Sequence, residues 1–331
     1  MATVLVLVLA RGRAQDVAQQ SAKLVAADAA AGDTFGLSVA VDGDVAVVSA
    51  RMDAPAGSAY VFEKQPDGSW AQVSKLVPGS EQSGIFGTAV AVDGDTAVVG
   101  DNGGTGSAYV FLKQPDGSWA QVSRLVPADA ATGGGRAFGF AVAVDGDTIV
   151  IGAWSDSQAG NRAGAAYVFE KQPDGSWTQV TKLVGADSAD QDSFGHTVAV
   201  SGDTIMIGSV YDDFGTIIDQ GSVYQFLKQL DGSWVQVSKL VAADAAAGAK
   251  FGCFVAMDGE TAVIGAFGDA NAGSNTGAAY VFLRQPDGSW TQVSKLVAAD
   301  AAQGTLFGYS VAVDGDTAVI SAYRSSSSGS A

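Results

Sequence analysis

Residues 35 to 76 decide the fold: Phe35-Gly-Leu-Ser-Val-Ala-Val-Asp-Gly-Asp44, Val45-Ala-Val-Val-Ser-Ala50, a variable stretch, Ser58-Ala-Tyr-Val-Phe62, Gln65-Pro-Asp-Gly-Ser-Trp70 and Gln72-Val-Ser-Lys-Leu76. Val, Tyr, Phe and Trp alternate with small or polar residues in four short runs, the two-residue period of half-buried β-strands. We call these runs A to D. Asp42-Gly43 between A and B, and Asp67-Gly68 between C and D, fit two-residue hairpin turns in which both residues take positive φ.

The Phe-Gly pair returns at Phe86, Phe138, Phe194, Phe251 and Phe307, at intervals of 51, 52, 56, 57 and 56 residues, and each pair opens a near-copy of the same passage. Four antiparallel strands repeated at about fifty residues, with no helical pattern between them, read as the blades of a β-propeller. The expected fold is all-β: a six-bladed β-propeller of four-stranded antiparallel blades, in one domain over 1–331. Small residues of A (Gly36, Ser38, Ala40) suit the crowded axis, while Tyr60, Phe62 and Trp70 fill the outer part. The chain starts and stops inside a repeat. After Phe307 only A and B follow, before a Ser-rich tail at 325–331, whereas Thr3 to Ala10 and Asp16 to Leu24 match C and D. Lys23-Leu-Val-Ala-Ala-Asp28 repeats Lys295-Leu-Val-Ala-Ala-Asp300. The leading strands, within residues 3–24, are therefore expected to complete the last blade and close the ring, removing exposed sheet edges.

Composition bounds the partners. Eighteen basic against 35 acidic residues give a formal charge of −17, which opposes binding to nucleic acid or anionic membranes. Membrane insertion is not expected, because the apolar run Thr3 to Ala10 is too short for a spanning helix. That run reads either as a blade strand or as the core of a signal peptide spanning residues 1–14, although Arg11 and Arg13 lie on its far side. Cys253 is the sole cysteine, so no intramolecular disulfide forms. The acidic surface also suits a saline habitat.

On Phe-Gly at six starts, Gly152-Ala and Gly265-Ala after strand B, and the recurring Ala-Tyr-Val-Phe and Asp-Gly-Ser-Trp, the chain resembles the FG-GAP repeats of integrin α-subunit propellers in their short bacterial and algal form. The resemblance spans almost the whole chain. It implies recognition outside the cell or at its surface, often with Ca²⁺, and no shared enzymatic activity. Two departures stand out. The A–B loop is too short to wrap a cation with six or more oxygens. The proline expected after Gly-Ala is replaced by Arg51, Asn102, Trp154, Val210, Phe267 and Tyr323.

Up-and-down strands put the conserved-looking A–B and C–D hairpins on one face and the variable B–C loops with the D–A connections on the other. A rigid frame with variable loops is the layout of a binding surface. Arg51, Trp154, Tyr211, Phe267 and Tyr323 are the candidate ligand contacts, for a protein or glycan; the same aromatics could equally pack under their own loops. Asp53, Asp156, Asp212, Asp213 and Asp269 on the B–C loops, with Asp28, Asp129, Asp187, Asp244 and Asp300 on the D–A loops, either converge on Ca²⁺ or end strands by accepting backbone hydrogen bonds. The chain reads as a non-enzymatic binding, adhesion or scaffold module; a further reading makes it a structural piece of a longer surface protein. The alternative is a carbohydrate-active hydrolase or lyase with a carboxylate pair in the channel mouth. The single histidine, His196, stands at a position held by Leu37, Thr88, Phe140, Cys253 and Tyr309 in the other repeats and supports no triad.

Overall fold

The β-branched and aromatic runs form strands because alternate side chains can pack on both faces of a sheet. The computed structural model describes residues 4–7, 20–79, 85–132, 134–270 and 273–323. By packing, the chain divides into two compact units, 1–126 and 127–331. The first holds β1 (Val4–Leu7) and β2 (Gln20–Leu24), then β3 (Phe35–Asp42), β4 (Val45–Ala50), β5 (Ser58–Lys64), β6 (Trp70–Leu76), β7 (Phe86–Asp93), β8 (Thr96–Asp101), β9 (Ser107–Lys113) and β10 (Trp119–Leu125). The second holds β11 (Ala141–Asp145), β12 (Thr148–Ala153), β13 (Ala165–Lys171), β14 (Trp177–Leu183), β15 (Phe194–Ser201), β16 (Thr204–Ser209), β17 (Ser222–Lys228), β18 (Trp234–Leu240), β19 (Phe251–Asp258), β20 (Thr261–Ala266), β21 (Ala278–Arg284), β22 (Trp290–Leu296), β23 (Phe307–Asp314) and β24 (Thr317–Ala322).

Strands β3 to β22 make five antiparallel four-stranded meanders in chain order, the blades of a β-propeller. The six complete blades expected from the repeats are thus five among the described residues. The sixth repeat appears as the two-stranded sheet β23–β24, and β1 pairs with β2 as another. Residues 1–3 and 8–19 of the leading segment, and the Ser-rich tail, lie outside the described residues.

The core lies between adjacent blades. Val47, Ala59, Val61 and Leu76 of the first blade bury against Phe86, Val90, Val92, Tyr109 and Phe111 of the second. In the second unit, Val150, Val168 and Leu183 meet Phe194, Val198, Ile207 and Tyr224 in the same way. Within the second unit the Phe-Gly pair makes the joints between neighbouring blades. The Phe251 ring lies edge-on to Tyr280 and Phe282 of its own blade at 5.4 and 5.9 Å, a favoured aromatic geometry. Its backbone N–H donates to Gln220 O of the preceding blade at 2.8 Å, and Gly221 pairs with Phe251 as a parallel bridge. Gly252 then takes φ +84°, and a Cβ there would lie 2.4 Å from the Ser222 carbonyl oxygen, so only glycine fits.

The turns differ from expectation. Asp42 pairs directly with Val45, so the two-residue A–B loop is Gly43-Asp44, and only Gly43 has positive φ. Asp42 is free to reach the next blade, where its carboxylate accepts from Gly94 N–H at 2.7 Å. Asp145 and Asp258 do the same to Gly202 and Gly315. Between C and D, Lys64 pairs with Trp70, leaving the five-residue loop Gln65–Ser69. Gly68 N–H donates to Gln65 O and the Asp67 carboxylate accepts from both Ser69 N–H and Oγ–H. Proline at the second place of this loop presets a wider turn than the pair Asp-Gly suggests.

Candidate functional site

The B–C loop aspartates are drawn into one arrangement repeated in four blades. Lysine near the end of strand D, tyrosine on strand C, aspartate on the B–C loop and aspartate on the preceding D–A loop meet there. In the third blade, Lys182 Nζ stands 2.7 Å from Asp129 Oδ2 and 2.9 Å from Asp156 Oδ2. The Tyr167 hydroxyl donates to both carboxylates at 2.9 Å. Lys239 joins Asp187 and Asp212 at 2.7 and 2.8 Å; Lys295 joins Asp244 and Asp269 at 2.6 and 2.8 Å; and Lys75 joins Asp28 and Asp53. Burial pushes Asp156 upward, but N–H donors of Gly135 and Gln158, together with Lys182 and Tyr167, outweigh it and hold the carboxyl below its usual range. The Lys75 hydrogen bond leads in lowering Asp28. Burial raises Tyr60 to about 12.

In these four blades an ammonium is already the counter-ion of both carboxylates. Asp213 stands apart: it is exposed and accepts from Asp219 N–H at 2.7 Å. No cluster of three or more His, Cys, Asp or Glu is set to hold a metal among the described residues. The calcium loop of integrin-type repeats does not fit here, because the A–B connection is two residues long and Asp42, Asp145 and Asp258 are committed to neighbouring backbone. The second blade breaks the pattern, with Gly104 in place of aspartate and Arg124 in place of lysine. Arg124 donates to Ser107 Oγ at 2.9 and 3.0 Å.

The aromatic candidates gather in pairs set by strand register. The third residue of strand A lies beside the residue after strand B, as Thr88 Oγ1 donating to Asn102 Oδ1 at 3.0 Å demonstrates. In the second unit this brings Phe140 edge-on to Trp154 at 6.0 Å and stacks Tyr309 on Tyr323 at 4.6 Å and 26°. Phe267 and Phe254 both adjoin Tyr309, at 5.8 and 5.6 Å. Phe140 also touches His196 at 5.1 Å. Burial pushes the His196 imidazole down to about 4 and the Cys253 thiol up to about 12, so one is neutral and the other protonated at physiological pH.

Of the ligand candidates, Phe267 and Tyr323 therefore share one cluster around Tyr309, and Trp154 belongs to a second with Phe140 and His196, capped by the Arg162 guanidinium 5.4 Å from its ring. Tyr211 lies under Lys250, whose Nζ is 4.1 Å from its ring centre. Arg51 belongs to the first unit, its Nε buried. Sequence reasoning missed Phe140 and Tyr309 as partners of these rings. The signal was present: each lies fourteen positions before its partner, the spacing shared by Leu37 and Arg51, Thr88 and Asn102, and Cys253 and Phe267.

The family model for the FG-GAP repeat matches residues 18–62, 70–111, 119–169, 177–226, 234–282 and 290–331. No curated protein matches the sequence closely enough to count as a relative. Among solved structures, the chain is similar to a protein proposed to be a 6-phosphogluconolactonase from Bacteroides uniformis ATCC 8492, at TM-score 0.54 and 16% identity over 80% of this chain and 72% of that one. It is also similar to a protein from Lactobacillus plantarum, at TM-score 0.50 and 14% identity over 79% of this chain and 71% of that one. At these identities the likeness concerns the fold alone.

Proposed function

Because the chain belongs to the FG-GAP repeat family, which covers it in six consecutive matches, we propose that it is a non-enzymatic recognition module that binds a protein or glycan through its B–C loop face. The observation that carries this reading is the contrast between the two ends of each blade. Side chains at the hairpin end repeat from blade to blade, whereas the paired positions beside the B–C loops hold Phe140 with Trp154, His196 with Val210, Cys253 with Phe267 and Tyr309 with Tyr323. Tyr323 is 63% exposed. Rigid stacked rings that keep an exposed face are efficient anchors, since little side-chain freedom is lost on contact. The setting on this reading is the cell surface, as in integrin α-subunits. Glycan and peptide arrays probed with wild type and with a Trp154→Ala, Phe267→Ala, Tyr323→Ala variant test it; equal binding by both removes the rim from the account.

The same reading closes the ring through a sixth blade, with β1 and β2 as the outer pair to β23 and β24. Their register supports it: Val4 pairs with Leu24 and Leu5 with Lys23, with a slip between Val6 and Leu7. Strands β5 and β6 pair Ala59 with Leu76 and Tyr60 with Lys75, with a slip between Val61 and Phe62. Leu24 and Ala26 also cover Phe35, Tyr60 and Phe62, as Leu240 at the end of one blade's D strand and Ala242 just after it cover Phe251 and Tyr280 of the next.

Asp192 favours a second reading, a carboxylate-dependent hydrolase or lyase. Burial raises its carboxyl to about 6 with Asp212 and Asp213 nearby, a value suited to a general acid. Hydrolysis of a polysaccharide panel that vanishes in Asp192→Asn would select this reading; an inactive wild type discards it.

A further inference from the structure

The longest B–C loop, residues 209–221 of the fourth blade, departs from the others in what it shows to solvent. Phe214 is 54% exposed and Ile218 64%, and Tyr211 at their base is 40% exposed. Exposed valines such as Val73, Val122, Val180, Val237 and Val293 recur at one position of the outer strands, joined on β18 by Val235, the scatter normal to a protein surface. Here three large apolar residues share one loop, and the loop has fixed form. Phe214 and Ile217 exchange both backbone hydrogen bonds at 3.1 and 3.2 Å, a miniature antiparallel hairpin.

Its base is held from several sides. Gly221 N–H donates to Asp212 O, Gly248 N–H donates to Ile218 O, and Tyr211 N–H donates to Asp192 O. Lys250 bridges Asp219 at 2.7 Å while covering the Tyr211 ring. Holding Phe and Ile outward on a braced support is unfavourable in water and leaves the hydrophobic gain to be realised on contact.

We infer that Phe214 and Ile218 form the anchor of a protein-binding site whose partner offers an apolar pocket rimmed by lysine or arginine. Charge selects that occupant. The exposed flank carries Asp213 and the partly exposed Asp219, and the chain bears a formal charge of −17, so a second copy or an anionic membrane is repelled while a basic surface is attracted. The inference rests on the recognition reading above and gives it a partner class and a principal contact, since a few central apolar residues dominate most interfaces.

The test is a random dodecapeptide display selection on the whole protein, followed by fluorescence anisotropy of the enriched consensus peptide against wild type, Phe214→Ser/Ile218→Ser, Trp154→Ala/Phe267→Ala and the control Val180→Ser, whose side chain is exposed on β14. Phe214 and Ile218 are exposed and Trp154 and Phe267 partly buried, and urea midpoints check that each variant folds. The expected outcome is a consensus joining apolar residues to Lys or Arg, with affinity lowered at least ten-fold in Phe214→Ser/Ile218→Ser, lowered less in Trp154→Ala/Phe267→Ala, unchanged in Val180→Ser, and weakened by salt. A peptide that loses affinity only in Trp154→Ala/Phe267→Ala overturns the inference and leaves the recognition reading standing. No enriched peptide, together with silent glycan arrays, overturns both. Sedimentation showing a dimer, or flotation with neutral phosphatidylcholine vesicles, that disappears in Phe214→Ser/Ile218→Ser would assign the anchor to a second copy or to a lipid surface and refute the basic protein partner.

Discussion

Replacing Lys182 by Met isolates the contribution of the Lys-Tyr-Asp-Asp arrangement. The side chain keeps its length and apolar stem but loses the ammonium that stands 2.9 Å from Asp156 Oδ2 and 2.7 Å from Asp129 Oδ2. The two carboxylates differ in consequence. Asp156 has a side chain only 1% exposed, against 23% for Asp129, so water can rescreen the second far better than the first. Breaking a buried ion pair by removing one partner costs about 3–5 kcal/mol. Asp156 keeps hydrogen bonds from Gly135 N–H at 2.6 Å, Gln158 N–H at 3.0 Å and the Tyr167 hydroxyl at 2.9 Å, which places the loss near the lower end, about 3 kcal/mol. The decisive comparison is Lys182→Met with Asp156→Asn, in which no buried charge is left unpaired; roughly half the loss should return. Urea unfolding followed by tryptophan fluorescence, with the slope compared among variants, measures both. A single-variant loss below about 1 kcal/mol, or no recovery in the double variant, refutes the buried-pair argument and makes the arrangement a surface ornament.

Three other outcomes follow from particular contacts. Leu24→Ala should cost about 2–5 kcal/mol in urea unfolding, because Leu24 is 2% exposed against Phe35, Tyr60 and Phe62; a change within 0.5 kcal/mol would detach β2 from the first blade. Gly252→Ala combines positive φ with a Cβ 2.4 Å from the Ser222 carbonyl oxygen, so a loss of about 2 kcal/mol or more is expected, and a neutral result would mean that the joint yields freely. For Asp192, the folded carboxyl holds its proton up to about pH 6, above the ordinary 3.8, so the folded state binds more protons than the unfolded one between those values. Its effect on stability is favourable at low pH and declines as pH rises through that window, by up to about 3 kcal/mol. Asp192→Asn should therefore raise stability at pH 7 and flatten the profile between pH 4 and 6, and an unchanged profile counts against the buried carboxyl. Asp28, Asp53, Asp156, Asp187 and Asp244, held low, act in the opposite sense, with stability present above the ordinary carboxyl range and lost as acid titrates them.

The blade itself was legible because its information is periodic: alternation gives strands, Asp-Gly gives turns, and Phe-Gly marks each start. The turn types were not, because Asp42 belongs to strand A and reaches the next blade, while Asp67 sits in the middle of a five-residue loop and bonds Ser69. Nor did any residue type signal that Thr34, Ala137, Ser193, Lys250 and Leu306, each just before a Phe-Gly pair, adopt positive φ near 55 to 60°. The surrounding ladder imposes that conformation on residues that do not prefer it. Position in the repeat groups the aspartates but does not reveal their use, since Lys75, Lys182, Lys239 and Lys295 lie on a different strand, 22 to 27 residues beyond the B–C loop aspartates. Rim pairs were visible as a fixed spacing, whereas Phe214 and Ile218 look like any loop pair until the brace from Gly248, Lys250 and Asp192 is known.

The docking of Leu24 and Ala26 on Phe35, Tyr60 and Phe62 also orders events during synthesis. All five residues lie within a stretch of about forty, so the contact forms without any of the repeats that follow. The pair β1 and β2 can thus shield the flank of the first blade on the nascent chain, so that a newly made sheet with many near-identical successors coming behind it is spared pairing with the wrong one.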